Sequence, residues 1–234
     1  MELTNTTCVS LPDLIPPDAH IVLNESRVFP ARMMAIGSDD DATKEVMFFL
    51  SPENIDEDPS TLLQSESEGQ IWRTMLRDGG AAEGDEYTVQ SGQSAAFGGG
   101  AMTLRVTQIL SHWVEEREPD GVEVCLEVVS AAGDGAVTME SQFSDRGVPY
   151  MKREATAEDT ATYQTTFAST EAVGSVAAPT AGLHLTLACL KQLADQGARS
   201  SRLALHVGAG TFRPVTSPTV ATHPMHAKFF EVSA

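Results

Sequence analysis

Thr186-Leu-Ala-Cys-Leu-Lys-Gln-Leu-Ala-Asp-Gln-Gly-Ala-Arg-Ser-Ser-Arg-Leu-Ala-Leu-His-Val-Gly-Ala-Gly210 reads as a helix, a strand and a glycine turn in that order. Leu187, Leu190, Leu193 and Ala194 fall on one side of a 3.6-residue period, which predicts an amphipathic helix over Thr186–Gln196. Gly197 stands where a helix C-cap belongs. Arg202-Leu-Ala-Leu-His-Val207 then has the apolar content of a buried strand, and Gly208-Ala-Gly210 follows it. That order suggests an open α/β sheet with a ligand at its strand ends.

Working outward, residues 151–234 keep this mixed texture. Residues 1–36 share it, with Pro-rich turns, a short apolar run His20-Ile-Val-Leu23 read as a buried strand ending at Asn24, and then Arg-Val-Phe-Pro-Ala-Arg32. Between them the texture changes. Short apolar runs at Glu45–Leu50, Tyr87–Val89, Met102–Leu110 and Val122–Val129 are separated by Gly, Ser and Asp clusters at Gly37–Asp41, Gly98–Gly100 and Gly133–Gly135, and Thr103–Ile109 and Val122–Val128 alternate with period two. Half-buried strands in series predict a small barrel or sandwich. The acidic stretch 52–70 is expected to be a surface loop.

The chain has 234 residues, 41% of them hydrophobic, and a formal net charge of −18. The charge is unevenly placed: the first 150 residues hold 27 acidic and eight basic side chains, and the remainder is balanced to +1. A nucleic-acid footprint should be positive, so any nucleic-acid contact is expected in the C-terminal part, and the acidic half reads as a solvated face. No apolar run approaches the roughly 20 residues of a membrane helix, and Met1–Ser10 lacks a signal-peptide pattern. Three scattered cysteines (Cys8, Cys125, Cys189) argue against a disulfide framework. The expected location is the cytoplasm, or an organelle matrix where a true N-terminus precedes Met1.

Four segments carry the candidate chemistry. In Asn24–Arg32, Arg27 and Arg32 suit anion recognition, and a surface salt bridge is the plain alternative. In Asp159–Ala168, Tyr163 and Gln164 offer a stacking ring beside donors and acceptors, or else an ordinary half-buried helix. Ser175–His184 is rich in small residues just ahead of the predicted helix. Its backbone N–H groups can face an anion and His184 can titrate, or the segment is a tight packed turn. The fourth is Leu205–Pro214 with His223-Pro-Met-His226; its glycines at a strand end are a weak nucleotide signal. His223 and His226 lack neighbours that would complete a metal site, so no metal is expected.

Taken in order, VLNESRVFPAR, DTATYQTTFA, GSVAAPTAGLH and LALHVGAGTFRPV…HPMHA resemble the S-adenosylmethionine:tRNA ribosyltransferase-isomerase family, whose pattern is similar to NxTRVxxAR, DxxxYQTxxA, GxxAAPTAGLHF and LHVGxGTFxPV…HxMHxE. Ser26 stands for the family's Thr, Leu185 for its Phe and Lys228 for an acidic residue, and a Pro-rich stretch is shortened to Gly147-Val-Pro-Tyr150. The resemblance also implies further family segments beyond both ends. It implies an α/β plus β fold, with residues 1–34 and 151–234 forming a discontinuous α/β domain, incomplete at the C-terminus, around a β-barrel at 35–150.

It further implies transfer and isomerisation of the ribosyl part of S-adenosylmethionine onto 7-aminomethyl-7-deazaguanine in a tRNA anticodon loop. The products are epoxyqueuosine-tRNA, methionine and adenine, S-adenosylmethionine is a consumed co-substrate, and a monomer without metal or other cofactor is expected. Under that reading His184 and His206 are candidates for proton transfer, Arg27 and Arg32 for anion binding, and Tyr163 and Gln164 for base contacts. Asn24, Thr180, Gly182, Gly208, Gly210, Thr211, His223 and His226 complete the expected binding set. Two other readings compete. A methyltransferase glycine loop should open a helix, but Pro214 and Pro218 oppose one. A non-catalytic domain that binds tRNA or a protein is the third reading.

Overall fold

The computed structural model describes residues 5–39, 42–49, 58–77, 80–89, 102–113, 121–131, 157–208, 211, 217–222 and 228–232. The period-two region forms six strands: β3 (Arg32–Gly37), β4 (Thr43–Phe49), β5 (Ile71–Arg77), β6 (Glu86–Val89), β7 (Met102–Trp113) and β8 (Gly121–Ala131). They close an antiparallel barrel in the order β3-β4-β5-β8-β7-β6. Closure removes the sheet edges that an open meander would expose. Alternation fills the interior: Met33 and Ala35 are buried while Met34 between them faces out. Trp72 meets Phe48 edge-on, 5.9 Å between ring centres, among Leu76, Tyr87, Leu104, Val124 and Leu126. Register shifts between Thr103/Leu104, Val106/Gln108 and Ile109/Ser111 let the long β7 curve around this core.

Part of the acidic excess is answered across the barrel strands. Glu45 lies 2.5 Å from Arg32 and 3.8 Å from Arg77, its register partner on β5. Arg105 is flanked at one register level by Glu86 and Glu127, and Arg73 pairs with Glu123. Opposite charges facing each other across a ladder are mildly stabilising and help fix its register.

The remaining elements make the α/β part: α1 (Leu11–Leu14), β1 (His20–Asn24), β2 (Arg27–Val28), α3 (Ala157–Thr162), β9 (Val173–Ser175), α4 (Leu187–Asp195), β10 (Arg199–Leu205) and β11 (Phe230–Glu231). β1 pairs in parallel with β10 and β2 in parallel with β9, whereas β11 joins β10 antiparallel. The fold is thus an α/β unit whose chain is interrupted by a barrel. α4 is capped by Thr186, whose hydroxyl accepts from Cys189 N at 3.1 Å, and it ends at Gly197, whose φ of +103° only glycine adopts readily.

Three expectations need correction. β10 begins at Arg199, ahead of the apolar run, and ends at Leu205. It follows the register of β1, His20 opposite Arg199, and not its own hydropathy. Neither strand is buried throughout: Val22 of β1 and the polar start of β10 are exposed. The stretch 52–70 is no simple loop, because α2 (Pro59–Gln64) lies in it, capped by Asp58 and burying Leu63. The expected glycine-rich turns at Gly98–Gly100 and Gly133–Gly135 lie outside the described residues, as does Gly147–Tyr150.

Candidate functional site

β1 and β2 follow one another through Glu25 and Ser26, and at that bend the chain changes neighbour from β10 to β9. A change of neighbour leaves backbone groups without ladder partners, and they must be satisfied some other way. Asn24 does this as a backbone mimic. Its Nδ2 donates to Leu205 O at 2.8 Å, and its Oδ1 accepts from Leu205 N at 3.0 Å and Ser26 N at 3.1 Å. One step on, Ser175 Oγ accepts from Val207 N at 2.9 Å, and Val207 O accepts from Val176 N at 2.9 Å. The end of β9 therefore takes the place beside residue 207 that β1 vacates. The carboxyl ends of β1, β9 and β10 meet here beside the start of β2, and a switch of this kind is where open α/β sheets hold ligands.

The flanking segments dock onto this junction. Gln164 clamps the edge of β2: Val28 N donates to its Oε1 at 3.0 Å, and its Nε2 donates to Val28 O at 2.8 Å. Its amide is thereby engaged, and Gln164 orients Tyr163 and Thr165 on either side. A Cβ at Gly182 would come within 2.9 Å of Phe167 and 3.1 Å of Thr165, so the bare glycine lets the 3-10 turn Thr180–Gly182 lie against that segment. A Cβ at Gly174 would lie 2.4 Å from His206 Nδ1 and 2.7 Å from Pro59, so the imidazole sits directly over the β9 backbone. At Gly208 a Cβ would meet nothing within 4 Å. That glycine faces open space.

Among the described residues, four buried side-chain polar atoms lack a hydrogen-bond partner: Tyr163 Oη, Thr165 Oγ1, His206 Nδ1 and Arg32 Nε. The first three all neighbour the 174–182 segment: Tyr163 at the Ala178 backbone, Thr165 at Gly182, His206 at Gly174. Arg27 is half-buried, and its guanidinium makes no hydrogen bond or ion pair among the described residues. Buried polar groups are normally paired, so three orphans along one segment mark a place for polar ligand atoms or water.

The electrostatics agree with this chemistry. Burial lowers the His206 pKa below the ordinary histidine value, and Asp58 only partly opposes the shift. Its imidazole is therefore neutral and can accept a proton. Burial raises Tyr163, with the Ala178 backbone opposing, so the phenol keeps its proton and can donate it.

The other expected residues are placed as follows. His184 and Thr180 are exposed, and the neighbour of His184, Leu185, is held by Thr166 Oγ1 donating to its carbonyl at 2.8 Å and by its own N–H donating to Gly182 O at 3.0 Å. Thr211 is exposed, its N–H donating to Gly208 O at 3.2 Å. Arg32 belongs to the barrel, where Glu45 holds its guanidinium. Gly210, His223 and His226 lie outside the described residues. Sequence reading overlooked Thr165 as an orphaned hydroxyl, and Ser26 and Ser175 as a buried pair, because isolated hydroxyl residues carry no spacing signal. Among the described residues no group of three or more His, Cys, Asp or Glu side chains is placed to hold a metal ion. No helix among them is long and apolar enough to cross a membrane.

A family model described as queuosine biosynthesis protein matches residues 1–234. An S-adenosylmethionine:tRNA ribosyltransferase-isomerase from Phenylobacterium zucineum is 33% identical over 231 residues, covering 96% of this chain and 57% of that protein. The chain thus spans little more than half the length of this curated relative. A crystal structure of S-adenosylmethionine tRNA ribosyltransferase from Thermotoga maritima is 17% identical, covers 85% of this chain and 44% of its own, and superposes with a TM-score of 0.21, too low to support a structural conclusion. The whole-length family match, with the 33% identity to a curated member, shows that this chain belongs to the queuosine biosynthesis protein family.

Proposed function

We propose that the strand-end junction binds S-adenosylmethionine and serves its ribosyl transfer and isomerisation onto 7-aminomethyl-7-deazaguanine in a tRNA anticodon loop. The observation that carries this reading is the clustering of three orphaned buried polar atoms, Tyr163 Oη, Thr165 Oγ1 and His206 Nδ1, along the 174–182 segment. The chemistry asks for three things: a base for a ribose C5′ proton acidified by the sulfonium, a proton donor for departing adenine, and a cation for the methionine carboxylate. Neutral His206 suits the first role, Tyr163 the second and the unpaired Arg27 the third. Gly208 leaves room for close backbone approach. A base within tRNA must be unstacked to reach such a crevice, and the near-neutral C-terminal part supports that approach better than the acidic barrel.

Incubation with S-adenosylmethionine and tRNA carrying the 7-aminomethyl-7-deazaguanine base tests the reading. Equal amounts of methionine and adenine are expected, with a mass gain on the tRNA. Release of S-adenosylhomocysteine, or no consumption of S-adenosylmethionine, would count against it. The same incubation separates turnover from a second reading in which the chain binds ligand without turnover. Saturable binding of S-adenosylmethionine with neither product formed would select that reading.

A further inference from the structure

Ser26 and Ser175 are both wholly buried, and their hydroxyl oxygens lie 2.8 Å apart. Two hydroxyls taken fully out of water are costly unless paired, and alanine would fill both positions without that cost. Ser175 Oγ also accepts the Val207 N–H, the donor immediately before the open Gly208. Ser26 Oγ touches no polar group among the described residues other than Ser175 Oγ. The pair therefore spans three segments, the β1–β2 bend, the end of β9 and the exit of β10, and among the described residues its hydroxyls make one hydrogen bond to backbone, at Val207 N.

We infer that Ser26 and Ser175 form one positioning unit that sets the direction of the Val207–Gly208 backbone for S-adenosylmethionine. This rests on the proposed binding function and names the residues that shape its site. Ser26 acts through Ser175: its hydroxyl fixes the rotamer of Ser175, which in turn fixes Val207. Neither residue touches the reacting atoms.

The test compares Ser26→Ala, Ser175→Ala, the double variant and Ser26→Thr in the full chain. It measures S-adenosylmethionine affinity by calorimetry and Val207 amide exchange by NMR. Each alanine variant should weaken binding on the order of tenfold, which corresponds to about 1.4 kcal/mol. The double variant should be no worse than either single one, because the pair acts as a unit. Ser26→Thr keeps the hydroxyl and should restore both affinity and Val207 protection. Leu193→Ala, a buried change on α4 away from the junction, should lower thermal stability without changing affinity.

Unchanged affinity and Val207 protection in Ser26→Ala, or additive losses in the double variant, would overturn the positioning unit while leaving the binding function intact. A wild-type chain that binds no S-adenosylmethionine would instead overturn the binding function and the inference with it.

Discussion

Two glycines of the junction have opposite duties, and substitution should separate them. Gly174 is a packing glycine: alanine there would press a methyl against His206 and Pro59, closer than real Cβ contacts come. Gly174→Ala is expected to cost about 1–3 kcal/mol in a urea melt, as overpacking does. Gly208→Ala meets no neighbour and should stay within about 0.5 kcal/mol of wild type, yet weaken S-adenosylmethionine binding measured by calorimetry. Equal destabilisation by both would contradict this division. His206 supplies a pH test. Its folded pKa lies below the value it has when unfolded, so between the two values the unfolded chain binds more protons. Stability should therefore fall as pH drops from neutrality through the ordinary histidine range, and stop falling on this account below the folded pKa. The difference in unfolding free energy between wild type and His206→Gln isolates that contribution, and a difference that is flat with pH would contradict it.

At the scale of elements, α4 was legible because each of its signals is local: the apolar stripe, the Thr186 cap and the Gly197 stop. Thr186→Ala should cost about 1 kcal/mol, the usual value of an N-cap, and show as a lower thermal midpoint. Where β10 begins was not legible, because Arg199-Ser-Ser-Arg202 is strand only through pairing with β1, a partner 179 residues away at His20↔Arg199. α2 was hidden by the acidity around it, although the Asp58-Pro59 pair at its start is a cap signal that a closer reading finds. β5 was missed for a different reason: Arg73, Thr74 and Arg77 interrupt Ile-Trp-Arg-Thr-Met-Leu-Arg, so it shows no apolar run. In the site, Asn24, Gln164 and Gly182 stand out by motif. The structure shows what motif alone cannot: the Asn24 and Gln164 amides are occupied by backbone, and among the described residues the site's buried polar atoms without a partner belong to Tyr163, Thr165 and His206.

At the scale of the whole molecule, the six barrel strands fall between Arg32 and Ala131, so the first starts ahead of the proposed boundary at residue 35. With 1–34 and 151–234 proposed as the surrounding domain, the segment 32–131 made alone should keep a β-type circular dichroism spectrum and melt cooperatively. A random-coil spectrum would contradict an independent barrel. The most direct measurement is a titration with S-adenosylmethionine followed by backbone amide NMR. Shifts centred on Arg27, Tyr163–Thr165, Gly174–Gly182 and His206–Gly208 are expected. Shifts confined to the barrel, or no shifts at millimolar ligand, would contradict a binding site at the strand-end junction.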